Sequence, residues 1–196
     1  MKKRTAKIKR KTKETSISVD LDIEGKGKYA INTGIPFLDH MLDLFSKHSL
    51  VDLKVKAVGD LAVDYHHTVE DIGLALGKAL DKALGSRRGI VRYGWSIVPM
   101  DEALSRAAVD LGGRPVLVME TACRKKKIRD FDVSLIKEFF TAFCVQARMN
   151  LHITQLYGQE PHHAYESVFK AAAKALRMAC EMDKRVRGVP SSKGRI

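Results

Sequence analysis

Thr68-Val69-Glu70-Asp71-Ile72-Gly73-Leu74-Ala75-Leu76-Gly77-Lys78-Ala79-Leu80-Asp81-Lys82-Ala83-Leu84 is the stretch that decides the fold. Ile72, Leu76, Ala79, Leu80 and Ala83 recur at helical spacing, and Gly85 stops the run. The same face returns as Val168, Ala172, Ala175, Leu176 and Ala179 within a helical stretch, Ala164–Met182. Upstream, the alternating strand Leu53-Lys54-Val55 returns as Leu151-His152-Ile153. One pattern is written twice.

Working outward, Ile17, Val19, Leu21 and Ile23 alternate with polar residues as a half-buried strand over 15–23. Gly25-Lys26-Gly27 reads as a hairpin turn, with Lys28–Asn32 returning as a strand. Phe37, Leu38, Met41, Leu42 and Phe45 then mark a helix opened by Pro36. In the second half, Trp95–Val98, Ala103–Leu111 and Pro115–Thr121 read as strands, Asp132–Met149 as a helix and Leu151–Leu156 as a strand. The expected fold class is therefore α+β, with two duplicated half-domains of strands, helix, strand and helix. The halves, about 1–88 and 89–196, are expected to form one pseudo-twofold domain with only Gly85-Ser86-Arg87-Arg88-Gly89 between them.

The 196 residues are 45% hydrophobic, enough for a core and against general disorder. No apolar run reaches the ~18 residues of a membrane span, and no apolar stretch follows the basic start. The expected compartment is the cytoplasm. Cys123, Cys144 and Cys180 are odd in number and far apart, which fits reduced thiols. The formal charge is +12, and much of the excess lies in Lys2, Lys3, Arg4, Lys7, Lys9, Arg10, Lys11 and Lys13. That arm reads as a solvated or edge-strand charge run. RNA contact is the competing reading of the arm.

The chemistry lies in His66-His67-Thr68-Val69-Glu70 and its echo His162-His163-Ala164-Tyr165-Glu166, each at the start of a predicted helix. Imidazole with carboxylate suits Zn, Mn, Fe or Ni. Positions i and i+4 share a helix face, so His66 with Glu70, and His162 with Glu166, can hold one ion each. Adjacent residues diverge by roughly 100°, so each doubled histidine serves two ions. Neighbouring subunits complete the sites if the pairs lie too far apart within one chain. His40 is a further candidate ligand, and the repeat sets Glu138 at its equivalent point. His48 and His152 have no metal-bearing echo. Arg92-Tyr93-Gly94, Gly112-Gly113-Arg114-Pro115 and Pro190-Ser191-Ser192-Lys193-Gly194 each set a cation beside small residues, as phosphate sites do. Two other classes share features with this pattern. A metal-dependent phosphoesterase would pair ions with a phosphate cradle, though with Asp-rich ligands. A basic RNA-binding α+β protein would leave the doubled histidine motif without a purpose.

From about Arg10 to the C-terminus the chain resembles the imidazoleglycerol-phosphate dehydratase family. The resemblance rests on Thr12-Lys13-Glu14-Thr15, Phe37-Leu38-Asp39-His40-Met41 and Asp64-Tyr65-His66-His67-Thr68-Val69-Glu70-Asp71. It continues through Asp101-Glu102-Ala103-Leu104, Gly113-Arg114-Pro115, His162-His163 to Phe169-Lys170, and Pro190-Ser191-Ser192-Lys193-Gly194. It implies a lyase of histidine biosynthesis in its monofunctional form. It also implies two β-sheets enclosing a helical bundle, of the ribosomal protein S5 domain 2-like type, and a homo-oligomeric 24-subunit shell with two manganese ions per active site at subunit interfaces. The implied metal ligands are His40, His66, His67, Glu70, His162, His163 and Glu166; the family usually has histidine where this chain has Glu138. The implied substrate contacts are Glu14, Arg92, Arg114, Lys170, Ser192 and Lys193, with His40, His66, His67, Glu70 and His162 also facing substrate. The implied catalytic groups are Glu14 for proton transfer, Lys170 at the leaving hydroxyl, and Glu166. The implied mechanism draws the substrate imidazole toward imidazolate, which expels the hydroxyl through a diazafulvene-like state.

Overall fold

A computed structural model describes residues 3–196. Met1 and Lys2 of the basic arm lie outside the described residues. The first half runs β1 (Thr5–Lys11), β2 (Thr15–Asp22), β3 (Tyr29–Asn32), α1 (Pro36–Ser49), β4 (Asp52–Gly59) and α2 (His66–Leu84). The second runs β5 (Tyr93–Met100), β6 (Ala103–Asp110), β7 (Val116–Thr121), a short hairpin β8 (Lys127–Ile128) and β9 (Phe131–Asp132), α3 (Ser134–Ala147), β10 (Asn150–Tyr157) and α4 (Pro161–Cys180). The strand orders are β1-β2-β4-β3 and β5-β6-β10-β7, so the duplication seen in the sequence is a duplication of topology. The β8–β9 hairpin has no counterpart in the first half.

Each sheet turns one face inward. Val19, Leu53 and Val55 on one sheet, and Ala107, Leu151 and Ile153 on the other, are buried against the helices. The helices form the middle layer and pack crosswise, α2 against α3 and α1 against α4. The α2–α3 approach is close because Gly73 and Gly77 lack side chains. A Cβ on Gly73 would lie 2.6 Å from the carbonyl oxygen of Phe139, and one on Gly77 2.4 Å from that of Phe143.

The sequence expectation of a hairpin at Gly25-Lys26-Gly27 needs correction. β3 exists, but it pairs in parallel with β4, and β4 separates it from β2. The loop is instead wrapped around Asp52, whose Oδ1 accepts the backbone N–H groups of Lys26 (2.7 Å) and Lys28 (2.8 Å). The basic arm is an edge strand. Ala6 and Ile8 face the core, while Lys7, Lys9 and Lys11 face out and discourage further pairing.

Arg87, in the segment between the halves, is 3% exposed. Its guanidinium donates to the carbonyls of Leu111 (2.9 Å), Arg148 (2.9 Å) and Ala147 (2.7 Å), and to the Asp81 carboxylate (2.5 Å). It thus joins the end of α2 to the ends of β6 and α3. Truncation strands three carbonyls in a buried place. Arg87→Ala is expected to cost about 2–4 kcal/mol in urea unfolding; an unchanged midpoint would remove this contact from the account.

Candidate active site

Both histidine pairs sit where a helix begins. His66 and His67 open α2, and Pro161 at the first turn of α4 sets the entry of His162 and His163. The helical turn then separates the members of each pair, and the ring planes of His162 and His163 lie at 88° to each other with centres 6.5 Å apart.

The inward member of the second pair, His162, meets α1. His40 Nε2 lies 3.4 Å, and His162 Nε2 3.3 Å, from Glu166 Oε2. These three are the group of metal-type donors close enough to share one ion among the described residues, all within 4.8 Å of one another. The other oxygen of Glu166 is taken by Lys170 Nζ at 2.6 Å. Burial works to raise the Glu166 pKa, but Lys170 and then His40 hold it below the usual glutamate range. Oε2 is thereby kept anionic and turned toward two imidazoles. Two imidazoles and one carboxylate oxygen suit a borderline divalent cation such as manganese or zinc. A cavity of about 310 Å³ opens beside the group, walled by Phe37, Phe131, His40 and His162.

In the other half, His66 Nε2 lies 3.8 Å from Glu70 Oε2. Glu138 occupies on α3 the place that His40 occupies on α1, and α3 packs on α2 as α1 packs on α4. His66, Glu70 and Glu138 nevertheless do not close into a three-donor group as their counterparts do. Between the two helix starts runs an aromatic chain: Tyr65 on Phe131, Phe131 on Phe37, Phe37 on His162. The β8–β9 hairpin supplies its middle, and Asp130 in its turn accepts the Tyr65 hydroxyl at 2.6 Å.

The outward members are each gripped by a carboxylate. His67 Nδ1 meets Asp60 at 2.9 Å, and His163 Nδ1 meets Glu102 at 2.7 Å. Those hydrogen bonds raise the pKa of each histidine, with Glu14 adding to the effect on His67. Glu14 itself is set beside His67 by its turn. Thr15 Oγ1 (2.5 Å) and Arg10 both bind Asp71, just past Glu70 on α2.

The three predicted phosphate-type segments converge elsewhere on the surface. Arg92 donates to both oxygens of Asp110 (2.7 and 3.1 Å) and to the Pro190 carbonyl (2.7 Å). Its guanidinium is thus a clamp on the tail. Ile196 passes over Gly113, where a Cβ would lie 3.0 Å from it. Arg114, Ser192 and Lys193 are exposed there, and Arg148 stands alongside. His48 is half-buried near Lys170 and Lys174, and burial lowers its pKa. His152 is exposed on the outer face of β10. Sequence reasoning missed Asp60, Arg148 and the Tyr65–Asp130 tie, and gave Glu102 no role.

Fold and site together define a class: duplicated α+β enzymes carrying a histidine–carboxylate centre at helix N-termini. Comparison with known proteins makes it particular. The family model described as imidazoleglycerol-phosphate dehydratase matches residues 33–176. An imidazoleglycerol-phosphate dehydratase of Citrifermentans bemidjiense is 54% identical over 98% of this chain and 99% of its own length. That of Methylorubrum extorquens is 53% identical, over 98% and 100%. The crystal structure of the Pyrococcus furiosus enzyme superposes with a TM-score of 0.84 at 37% identity, covering 96% of this chain and 100% of that one. The Staphylococcus aureus structure gives 0.82 at 36%, over 91% and 99%. The chain belongs to the imidazoleglycerol-phosphate dehydratase family, the dehydrating lyase of histidine biosynthesis. No helix among the described residues is long and apolar enough to cross a membrane.

The Arg92 clamp generates one expectation. Arg92→Ala should free the tail after Pro190 and speed limited proteolysis there, while wild-type rates would mean that other contacts hold it.

Proposed function

We propose that this dehydratase converts imidazole glycerol phosphate to imidazole-acetol phosphate at a di-manganese site completed between subunits of a large homo-oligomer, as the 24-subunit family shell implies. The observation that carries the reading is the division of each histidine pair. His40, His162 and Glu166 form an incomplete ligand set in one chain, while His67 and His163 point away with one nitrogen already engaged. The reading assigns His67 of a neighbour to the His40–His162–Glu166 set. It assigns a neighbour's His163 to His66, Glu70 and Glu138. Because Glu14 sits beside His67, a subunit lending that histidine lends the carboxylate with it.

Ions held by these residues would act as Lewis acids that favour the deprotonated imidazole ring, whose electron pair can then expel a hydroxyl from a carbon that no carbonyl activates. The chain's own groups handle the protons. Lys170, held by Glu166, gives a proton to the departing hydroxyl, which leaves as water. Glu14 takes the proton from the next carbon, giving an enol. Glu14 then returns its proton to the carbon beside the ring, and the enol proton passes to Lys170, so both groups end as they began. Arg114, Ser192 and Lys193 hold the phosphate, with Arg92 fixing the tail that carries two of them.

Metal-stripped protein should have no turnover on imidazole glycerol phosphate and should regain it with Mn²⁺. His66→Ala combined with His162→Ala should lose turnover and bound metal together. Full metal content in that double variant by elemental analysis would contradict the assignment.

A further inference from the structure

The carboxylates that grip the outward histidines come from unrelated places in the duplication, and this has a functional meaning. Leu21 pairs with Leu53, and Val109 with Leu151. Leu53 and Leu151 are equivalent in the repeat, so Leu21 is equivalent to Val109. Counting back along those strands sets Glu14 on Glu102. Both close the turn that joins the first two strands of their half. His67 is likewise equivalent to His163.

Perfect symmetry would therefore have Glu14 bind His67 as Glu102 binds His163. It does not. Asp60 takes the Nδ1 of His67, and none of the hydrogen bonds or ion pairs among the described residues uses the Glu14 carboxylate. Asp60 follows β4, whose last residue is pressed on α2: a Cβ on Gly59 would lie 1.9 Å from Thr68 Oγ1. That contact carries Asp60 to the start of α2. In the second half the link from β10 to His162 is shorter, and Gly158-Gln159 brings no carboxylate of that kind. Glu160 there caps α4 through the His163 backbone N–H at 2.7 Å.

We infer that Glu102 and Asp60 are the positioning residues of this enzyme, each fixing the ring of one outward histidine with Nε2 presented to a metal ion, and that Asp60 leaves Glu14 free for proton transfer. A carboxylate at Nδ1 selects the tautomer with its proton there and leaves Nε2 as the unprotonated donor; Asp101 Oδ2 lies 3.6 Å from Nε2 of His163, beyond hydrogen-bond distance. The Glu102 side chain reaches no other cation than the His163 ring among the described residues. This inference rests on the two-metal reading above, but its test separates the two.

The test titrates Mn²⁺ into the full-length protein against a competing chelator, for wild type, Glu102→Ala and Glu102→Gln, with circular dichroism confirming the fold. Wild type should bind two ions per chain. Glu102→Ala should bind one of them about 10–100-fold more weakly. Glu102→Gln, whose amide oxygen still accepts from Nδ1–H, should recover most of the affinity. Wild-type affinity in Glu102→Ala, or equal loss in both variants, would overturn the positioning role. Absence of metal binding by wild type would instead overturn the metal reading itself.

Discussion

Two neighbouring side chains at the start of an α-helix cannot aim at one point. They diverge by about 100° around the axis, and in this protein the His162 and His163 ring centres lie 6.5 Å apart with their planes 88° to each other. The rest of the site depends on it. His162 faces His40 on its own chain's α1, and His66 lies beside Glu70, while the second histidine of each pair is held by a carboxylate. A single helix start therefore serves two places, and the duplication turns two starts into four imidazole directions. On the proposed reading, assembly and chemistry become one problem, because the donors that diverge in one chain would converge between chains.

The fold sustains that geometry with rigid parts. Helices in the middle layer give both histidine pairs the same support, and each pair's carboxylate partner lies one turn along at Glu70 or Glu166. The halves differ where the chemistry differs. Glu166 is buried and ion-paired with Lys170, whereas Glu70 is about half exposed with no such cation. The inserted β8–β9 hairpin adds Phe131 to the cavity wall beside His40 and ties itself to Tyr65 just ahead of His66. A row of aromatic rings thus connects the two helix starts.

Much of this was legible in residue order. Period-3.6 and period-2 patterns located four helices and the principal strands, because their apolar faces are buried against a shared layer. Copying one half onto the other found Glu138 opposite His40. Three things were not legible. The pairing of β3 with β4 is a long-range choice, and Gly25-Lys26-Gly27 looks locally like any tight turn. The β8–β9 strands are two residues each, too short to show alternation. Asp60 grips His67 from a loop with no periodic signal and no counterpart in the repeat. Glu102 was within reach, since register maps it on Glu14, but only paired strands reveal that register.

The most direct measurement is anomalous diffraction at the manganese edge from crystals of the assembled, metal-loaded protein. The account predicts an ion beside His40, His162 and Glu166 whose shell is finished by Nε2 of His67 from a second copy, and a further ion at His66 and Glu70. Manganese peaks bound wholly within single chains, or no peak at either histidine pair, would contradict it.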